Sequence, residues 1–244
     1  MPDSREKAHV PPAMQLAGDT QLDFLLVALR RRLIREASQA IDLLEQAIDS
    51  LWELDHERAR GVKVIEAQID SEEVRIEQEC FRILALHQPF GGDFRLITFC
   101  LKVNADIERV ADHAASIAKI CRKLTAPAPE WPRALREMGE RIPMMCQALL
   151  RAVVNTDMEA ANEVVLSDKA IDRLDKQVFL EVTKYIEESV DKTATGILMY
   201  RISRELERVG DLLGNIAEDI VYLATGEIVR HTNRKSQKPN PTAE

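Results

Sequence analysis

Apolar residues recur at helical spacing along almost the whole chain. Phe24, Val27, Leu29, Leu33, Ile34, Ile41, Leu44, Ile48 and Leu51 trace one face of a first helix, predicted from about Asp19 to Leu54. A second is predicted from about Glu57 to His87. It stops before Gln88-Pro89 because the residue ahead of a proline disfavours the α region. Pro89-Phe90-Gly91-Gly92 reads as a turn, with Asp93 as the N-cap of a third helix reaching Leu124. Ala126-Pro127-Ala128-Pro129-Glu130-Trp131-Pro132 cannot continue a helix, since it carries three prolines. A fourth helix then runs to about Asn155, with Pro143 tolerated only at a kink or break. Thr156-Asp157 opens a fifth, to about Ser189, and Asp191 caps a sixth, to about Thr225, with Gly226 placed to end it. Helices of about 30 residues would be roughly 45 Å long, so the object is elongated.

The two halves repeat. Asp106 to Ala118 aligns without gaps on Glu205 to Ala217, with six of thirteen residues identical at an offset of 99. Upstream, Glu66-Ala67-Gln68-Ile69-Asp70 corresponds to Asp168-Lys169-Ala170-Ile171-Asp172 at an offset of 102. The expected fold is all-α: two tandem three-helix bundles related by internal duplication. Residues 19–125 form the first bundle and 126–231 the second, flanked by a leader (1–18) and a tail (232–244) whose compositions read as mobile.

Composition narrows this further. Nine glycines and ten prolines among 244 residues, several of the prolines near the ends, cannot supply the turns of an all-β fold. The longest uncharged runs fall well short of the ~20 residues of a membrane span, and the first ten residues have no apolar core of a secretory signal. Cys80, Cys100, Cys121 and Cys146 are far apart in apolar stretches, and so read as reduced core residues of a cytoplasmic protein. A net charge of −8 disfavours non-specific binding to nucleic acid.

The candidate chemistry is acidic. Each half holds two pairs of carboxylates four residues apart: Glu66/Asp70 and Glu108/Asp112, then Asp168/Asp172 and Glu207/Asp211. That spacing puts both members on one helix face with Cβ atoms about 5–6 Å apart, an arrangement of like charges that is mildly destabilising. Glu108 and Asp112 lie at the edge of the stripe formed by Cys100, Val103, Ile107, Ala111 and Ala114, where partial burial raises the cost. A bound hard cation such as Mg²⁺, Mn²⁺ or an iron ion reverses it, because such ions take oxygen ligands. The alternatives are a solvated acidic face, or ion pairs with Arg109 and Arg208. Recurrence of the pairs in both halves brings the metal level with these alternatives.

Other motifs carry less. Glu53/His56 and Glu6/His9 have ExxH spacing but lie at a helix end and in the leader, not on two core helices as a di-iron site needs. Arg30-Arg31-Arg32 with Arg35 reads as a solvated helix face, Trp52 and Trp131 as packing at bundle ends, and His113 as too far round its helix to join Asp112 in one shell. There is no P-loop, no GxSxG and no Cys/His nucleophile pair.

The repeated Glu-Arg-Val-(Ala/Gly)-Asp, at Glu108 to Asp112 and Glu207 to Asp211, resembles the ERIGD signature of the PhoU family of phosphate-transport regulators. Gln88-Pro89, Asp93-Phe94-Arg95, Asn215 to Asp219, and Val221 to Glu227 followed by Arg230-His231 add to the resemblance, which spans about residues 20–231. Ala111 in place of the signature glycine and Glu66 in place of the usual aspartate are departures, though neither removes a carboxylate. The resemblance implies two three-helix bundles binding Fe, Mn, Mg or Zn ions, singly or as clusters, at the eight acidic positions above. It also implies a cytoplasmic, dimeric, non-enzymatic regulator that represses the phosphate-starvation response. Its partners would be the phosphate ABC transporter ATPase subunit and a phosphate-sensor histidine kinase, its only tie to the membrane. A metal-dependent hydrolase using the same carboxylates, or a purely structural scaffold, are the alternative functions.

Overall fold

The structure is a computed structural model that describes residues 20–155 and 157–226. The expected leader and tail, the Glu6/His9 pair, Thr156, and residues 227–231 of the second repeat lie outside the described residues. Within them the chain is helical, with no strands. The helices are α1 (Thr20–Glu53), α2 (His56–His87), α3 (Gly92–Cys121), α4 (Arg133–Asn155), α5 (Met158–Glu187) and α6 (Thr193–Thr225), with a 3₁₀ turn at Val190–Lys192.

Local chemistry explains most of the boundaries. Asp55 caps α2 by accepting from the Arg58 N–H, and Asp157 caps α5 by accepting from the Glu159 and Ala160 N–H groups. Gly226 ends α6 in the left-handed region, at φ +77°, donating its N–H to the Tyr222 carbonyl.

Two expectations need correction. Asp93 is not an N-cap. The chain enters α3 through Gly91 at φ +59°, so the helix begins at Gly92 and Asp93 lies in its first turn, where the helix dipole favours a negative charge. Asp191 does not cap α6 either. Its N–H donates to the Ser189 hydroxyl and it belongs to the 3₁₀ turn, and α6 starts two residues later without a side-chain cap. Pro143 sits inside α4 without a break, the helix being continuous from Arg133 to Asn155. Proline there removes the hydrogen bond to the carbonyl of Gly139. The apolar face around it, with Met138, Ile142 and Cys146 fully enclosed, holds the helix together regardless.

Helices α1, α2 and α3 pack against one another, and so do α4, α5 and α6. Helix α3 also lies against α6, and α1 against α4. The buried side chains therefore form one continuous core across both repeats. Leu33, Ile107, Cys146, Leu149 and Leu213 meet at the four-helix junction around an apolar cavity of about 40 Å³. All four cysteines are free and buried. Burial pushes the thiols of Cys80, Cys100 and Cys146 up to about 12, so they stay protonated and unreactive. Among the described residues no helix is long and apolar enough to cross a membrane.

Candidate metal centre

The repeated pairs become two acidic ladders, one between α2 and α3 and the other between α5 and α6. In the first, Glu66 is buried, Asp70 and Glu108 are half-buried, and Asp112 is exposed. Burial raises the Asp70 pKa above its ordinary value, and the charges of Glu66 and Asp112 raise it further. Glu108 is raised in the same way, by burial and then by Asp112, Asp70 and Glu73. The four carboxylates thus feel one another across the helix pair. Lys63 pairs with one oxygen of Glu66. The other Glu66 oxygen, Oε2, and Oδ1 of Asp70 are buried and accept no hydrogen bond from the protein.

In the second ladder, ligand atoms of Asp172, Glu207 and Asp211 all lie within 4.8 Å of one another, the only such group of three among the described residues. Two carboxylates at that distance repel by up to about 3 kcal/mol before screening. Asp168 completes the set. Burial, then Asp211, Asp172 and Glu207, push its carboxyl up to about 6. Glu207 is raised by burial and Asp211 against the opposing pull of Arg204, and its Oε2 is buried without a partner.

The two departures in the repeat gain a physical context. On α6, a Cβ at Gly210 would stand 3.5 Å from Oδ1 of Asp168, and one at Gly214 would stand 3.7 Å from its Cγ. The short aspartate approaches a stretch of bare backbone. The corresponding first-repeat positions are Ala111 and Ala115, and the corresponding acid is Glu66, one methylene longer.

Arginines neutralise the ladders only in part. Arg109 is mostly exposed and reaches Asp106 at 3.7 Å. Arg204 bridges Glu207 at 3.2 Å, but it also binds Asp175 at 3.0 Å. Each ladder keeps buried, unpartnered carboxylate oxygens and an excess of negative charge. That donor set fits a hard cation and offers nothing to an anion or an apolar ligand.

The ladders share a surface. A cleft of about 350 Å³ is lined by Asp112 of the first and Asp211 of the second, together with Arg109, Arg208 and His113. A neighbouring cleft of about 510 Å³ runs on from His113 past Glu66, Lys63 and Arg122. His113 lines both clefts, beside Asp112 and Asp211 in one and beside Glu66 in the other.

Sequence reading missed a polar layer inside each bundle. On α5 and α6, the Ser203 hydroxyl donates to Asp175 at 2.6 Å. On α1, Glu36 is fully enclosed and neither of its oxygens has a partner. Burial, together with Glu72, Glu73 and Glu108 and against Arg32, raises its carboxyl to about 8. The available signal was a charge in an apolar register, since Glu36 lies between Leu33 and Ala40 on the core stripe of α1.

The sequence model of the PhoU domain matches residues 33–121 and again 135–220. The chain is 35% identical to the phosphate-specific transport system accessory protein PhoU homolog of Deinococcus radiodurans, over 70% of this chain and 82% of that one. It is 33% identical to the homolog of Pseudomonas putida, over 88% of this chain and 85% of that one. Among solved structures, PhoU from Pseudomonas aeruginosa superposes with a TM-score of 0.80 at 32% identity, covering 85% of this chain and all (100%) of that one. The phosphate transport system regulatory protein PhoU from Streptococcus pneumoniae gives 0.77 at 28% identity, covering 86% and 99%.

Proposed function

The chain belongs to the PhoU family, and on that premise we propose that it regulates phosphate transport as a metal-binding adaptor rather than an enzyme. The relatives are named accessory proteins of the phosphate-specific transport system. The proposed action is cytoplasmic: the chain links the phosphate ABC transporter ATPase subunit to a sensor histidine kinase and represses the starvation response. It works as a homodimer and meets the membrane only through those partners.

The observation that carries the metal reading is the second ladder, with three ligand atoms inside 4.8 Å and a buried, unpartnered Glu207 oxygen. Glu66, Asp70, Glu108 and Asp112 would hold ions on one side, and Asp168, Asp172, Glu207 and Asp211 on the other. A bound divalent or iron ion supplies positive charge that offsets the mutual repulsion of these groups. The chain's own part is to hold α2 against α3, and α5 against α6, so that the carboxylates stay aligned. Binding that the unfolded chain cannot reproduce stabilises this arrangement.

Two experiments test the proposal. Elemental analysis of the purified chain should find transition metal that falls in Glu108→Ala/Asp112→Ala and in Glu207→Ala/Asp211→Ala; unchanged content in both would remove the metal. Pull-down with the transporter ATPase and with the kinase should capture both partners. No capture across phosphate and metal conditions would remove the adaptor.

A further inference from the structure

Glu36 is the one fully enclosed carboxylate among the described residues. It sits on the core-facing stripe of α1, and neither Oε1 nor Oε2 accepts a hydrogen bond from the protein. The charged groups that bear on it are negative except one: Glu72 and Glu73 on α2, Glu108 on α3, and Arg32 on its own helix. Arg32 is already committed, binding Glu72 through two nitrogens at 2.7 and 2.8 Å.

A second orphan lies on α3. Asn104 is buried one turn before Glu108, so the two side chains share a face of that helix. Its amide nitrogen is fixed to the Glu73 carbonyl at 2.9 Å, which leaves Oδ1 as a buried acceptor with no donor. Every unsatisfied atom here is therefore an oxygen, and the surrounding carboxyl groups outnumber the one arginine. An apolar or anionic guest has nothing to bind.

The second repeat shows how the same layer looks when the chain closes it alone. At the repeat offsets, Glu36, Glu73 and Asn104 correspond to Met138, Asp175 and Ser203. Ser203 donates to Asp175 at 2.6 Å, its hydroxyl lies 3.5 Å from the Met138 sulfur, and Arg204 supplies the counter-charge at 3.0 Å. In the first repeat the residue corresponding to Arg204 is Ala105. The internal cation is missing, and a carboxylate stands where the thioether would be.

We propose that Glu36, Asn104 Oδ1 and Glu108 form a buried site for a hard divalent cation, continuous through Glu108 with the α2–α3 ladder. The inference rests on the reading that the ladders bind metal, and it adds a third helix to the first of them. A carboxylate and an amide carbonyl are oxygen ligands of the kind that Mg²⁺, Mn²⁺ and Fe²⁺ accept. Occupancy would join α1 to α2 and α3, whereas the second ladder joins only α5 to α6.

The test is Mn²⁺ titration of the full-length, chelator-stripped chain, read by calorimetry and by ion count after desalting. Glu36→Gln should bind one Mn²⁺ fewer per chain, or bind its tightest Mn²⁺ at least tenfold more weakly. Glu36→Met copies the second repeat, so it should fold and show the same loss. Glu36→Asp keeps a carboxylate and should retain the ion more weakly. Asp168→Asn/Asp211→Asn should remove a different class of ions and leave the Glu36 class in place. Glu36→Met that folds and keeps the wild-type count and affinities would overturn the site while leaving the ladders standing. A wild-type chain that takes up no Mn²⁺ would overturn both.

Discussion

His113 Nδ1 lies 2.7 Å from Glu205 Oε2, joining α3 of one bundle to α6 of the other with both side chains largely buried. The contact is not part of the duplication. At the offset of 99, His113 corresponds to Leu212 and Glu205 to Asp106. It belongs to the interface between the repeats.

Burial alone would raise the Glu205 carboxyl, but the His113 hydrogen bond and charge, with Arg208 and Arg201, hold it below the ordinary 4.5. An acid held down in the fold adds stability that is complete above its unfolded value and disappears as pH falls through the folded one. His113→Ala should therefore cost about 1–3 kcal/mol at neutral pH, by leaving a buried acceptor unpaired. That cost should shrink below about pH 4. Urea unfolding at the two pH values measures it, and an equal cost at both would show that the contact is not electrostatic.

Asp168 has the opposite sign. Its carboxyl is pushed from 3.8 up to about 6, so the folded chain holds this proton more tightly than the unfolded chain does. Metal-free stability should fall as pH rises from about 4 to about 6, with the full penalty present above that. Asp168→Asn should raise the metal-free melting temperature by a few degrees at about pH 8 and hardly change it near pH 4. The same variant should lose most of the stabilisation that added Mn²⁺ gives to wild type. Differential scanning calorimetry with and without Mn²⁺ reads both effects, and a lower melting temperature at pH 8 without metal would contradict the burial argument.

Gly139 offers a test of packing. In an exposed helix interior, glycine to alanine is stabilising by about 1 kcal/mol. Here the new Cβ would stand 2.6 Å from Cζ2 of Trp52 and 3.5 Å from Cγ2 of Ile48. Gly139→Ala should instead destabilise by about 1–3 kcal/mol, because the indole has to move. Denaturant midpoints decide the sign.

The shared core predicts cooperativity. Ile107 on α3 lies at the junction with Leu149 of α4 and Leu213 of α6, so Ile107→Ala should cost about 2–5 kcal/mol. Because the core is continuous, the chain should melt in one transition, and this substitution should lower it as a whole. Two resolved calorimetric transitions, only one of them moved by Ile107→Ala, would mean that the repeats unfold separately.

The helices and the duplication were legible because they rest on periodicity and on proline and glycine punctuation, which are local. The ends of α3 and α6 were misread for a related reason. Asp93 and Asp191 have capping chemistry, but a positive φ at Gly91 sets the start of α3, and Asp191 is taken into a 3₁₀ turn capped by Ser189 ahead of α6. A kink and a break at Pro143 could not be told apart, because the packing that carries α4 through it comes from other helices. At the site, the four acidic pairs could be found by spacing alone. Their convergence across α2–α3 and α5–α6, the groove shared by Asp112 and Asp211, and the docking of α3 on α6 depend on contacts between distant segments. Glu36 was visible only as a charge out of place in an apolar stripe, and its orphaned oxygens emerge only when three helices close around it.

Trp52, near the end of α1, and Trp131, just ahead of α4, meet edge to face with ring centres 5.1 Å apart. They are the only two tryptophans in the chain. One comes from each repeat, and Arg136 sits 5.2 Å from the Trp52 ring. The molecule thus carries an intrinsic optical gauge at the seam, and any loosening there would change indole emission in unlabelled protein while cations or partners are added.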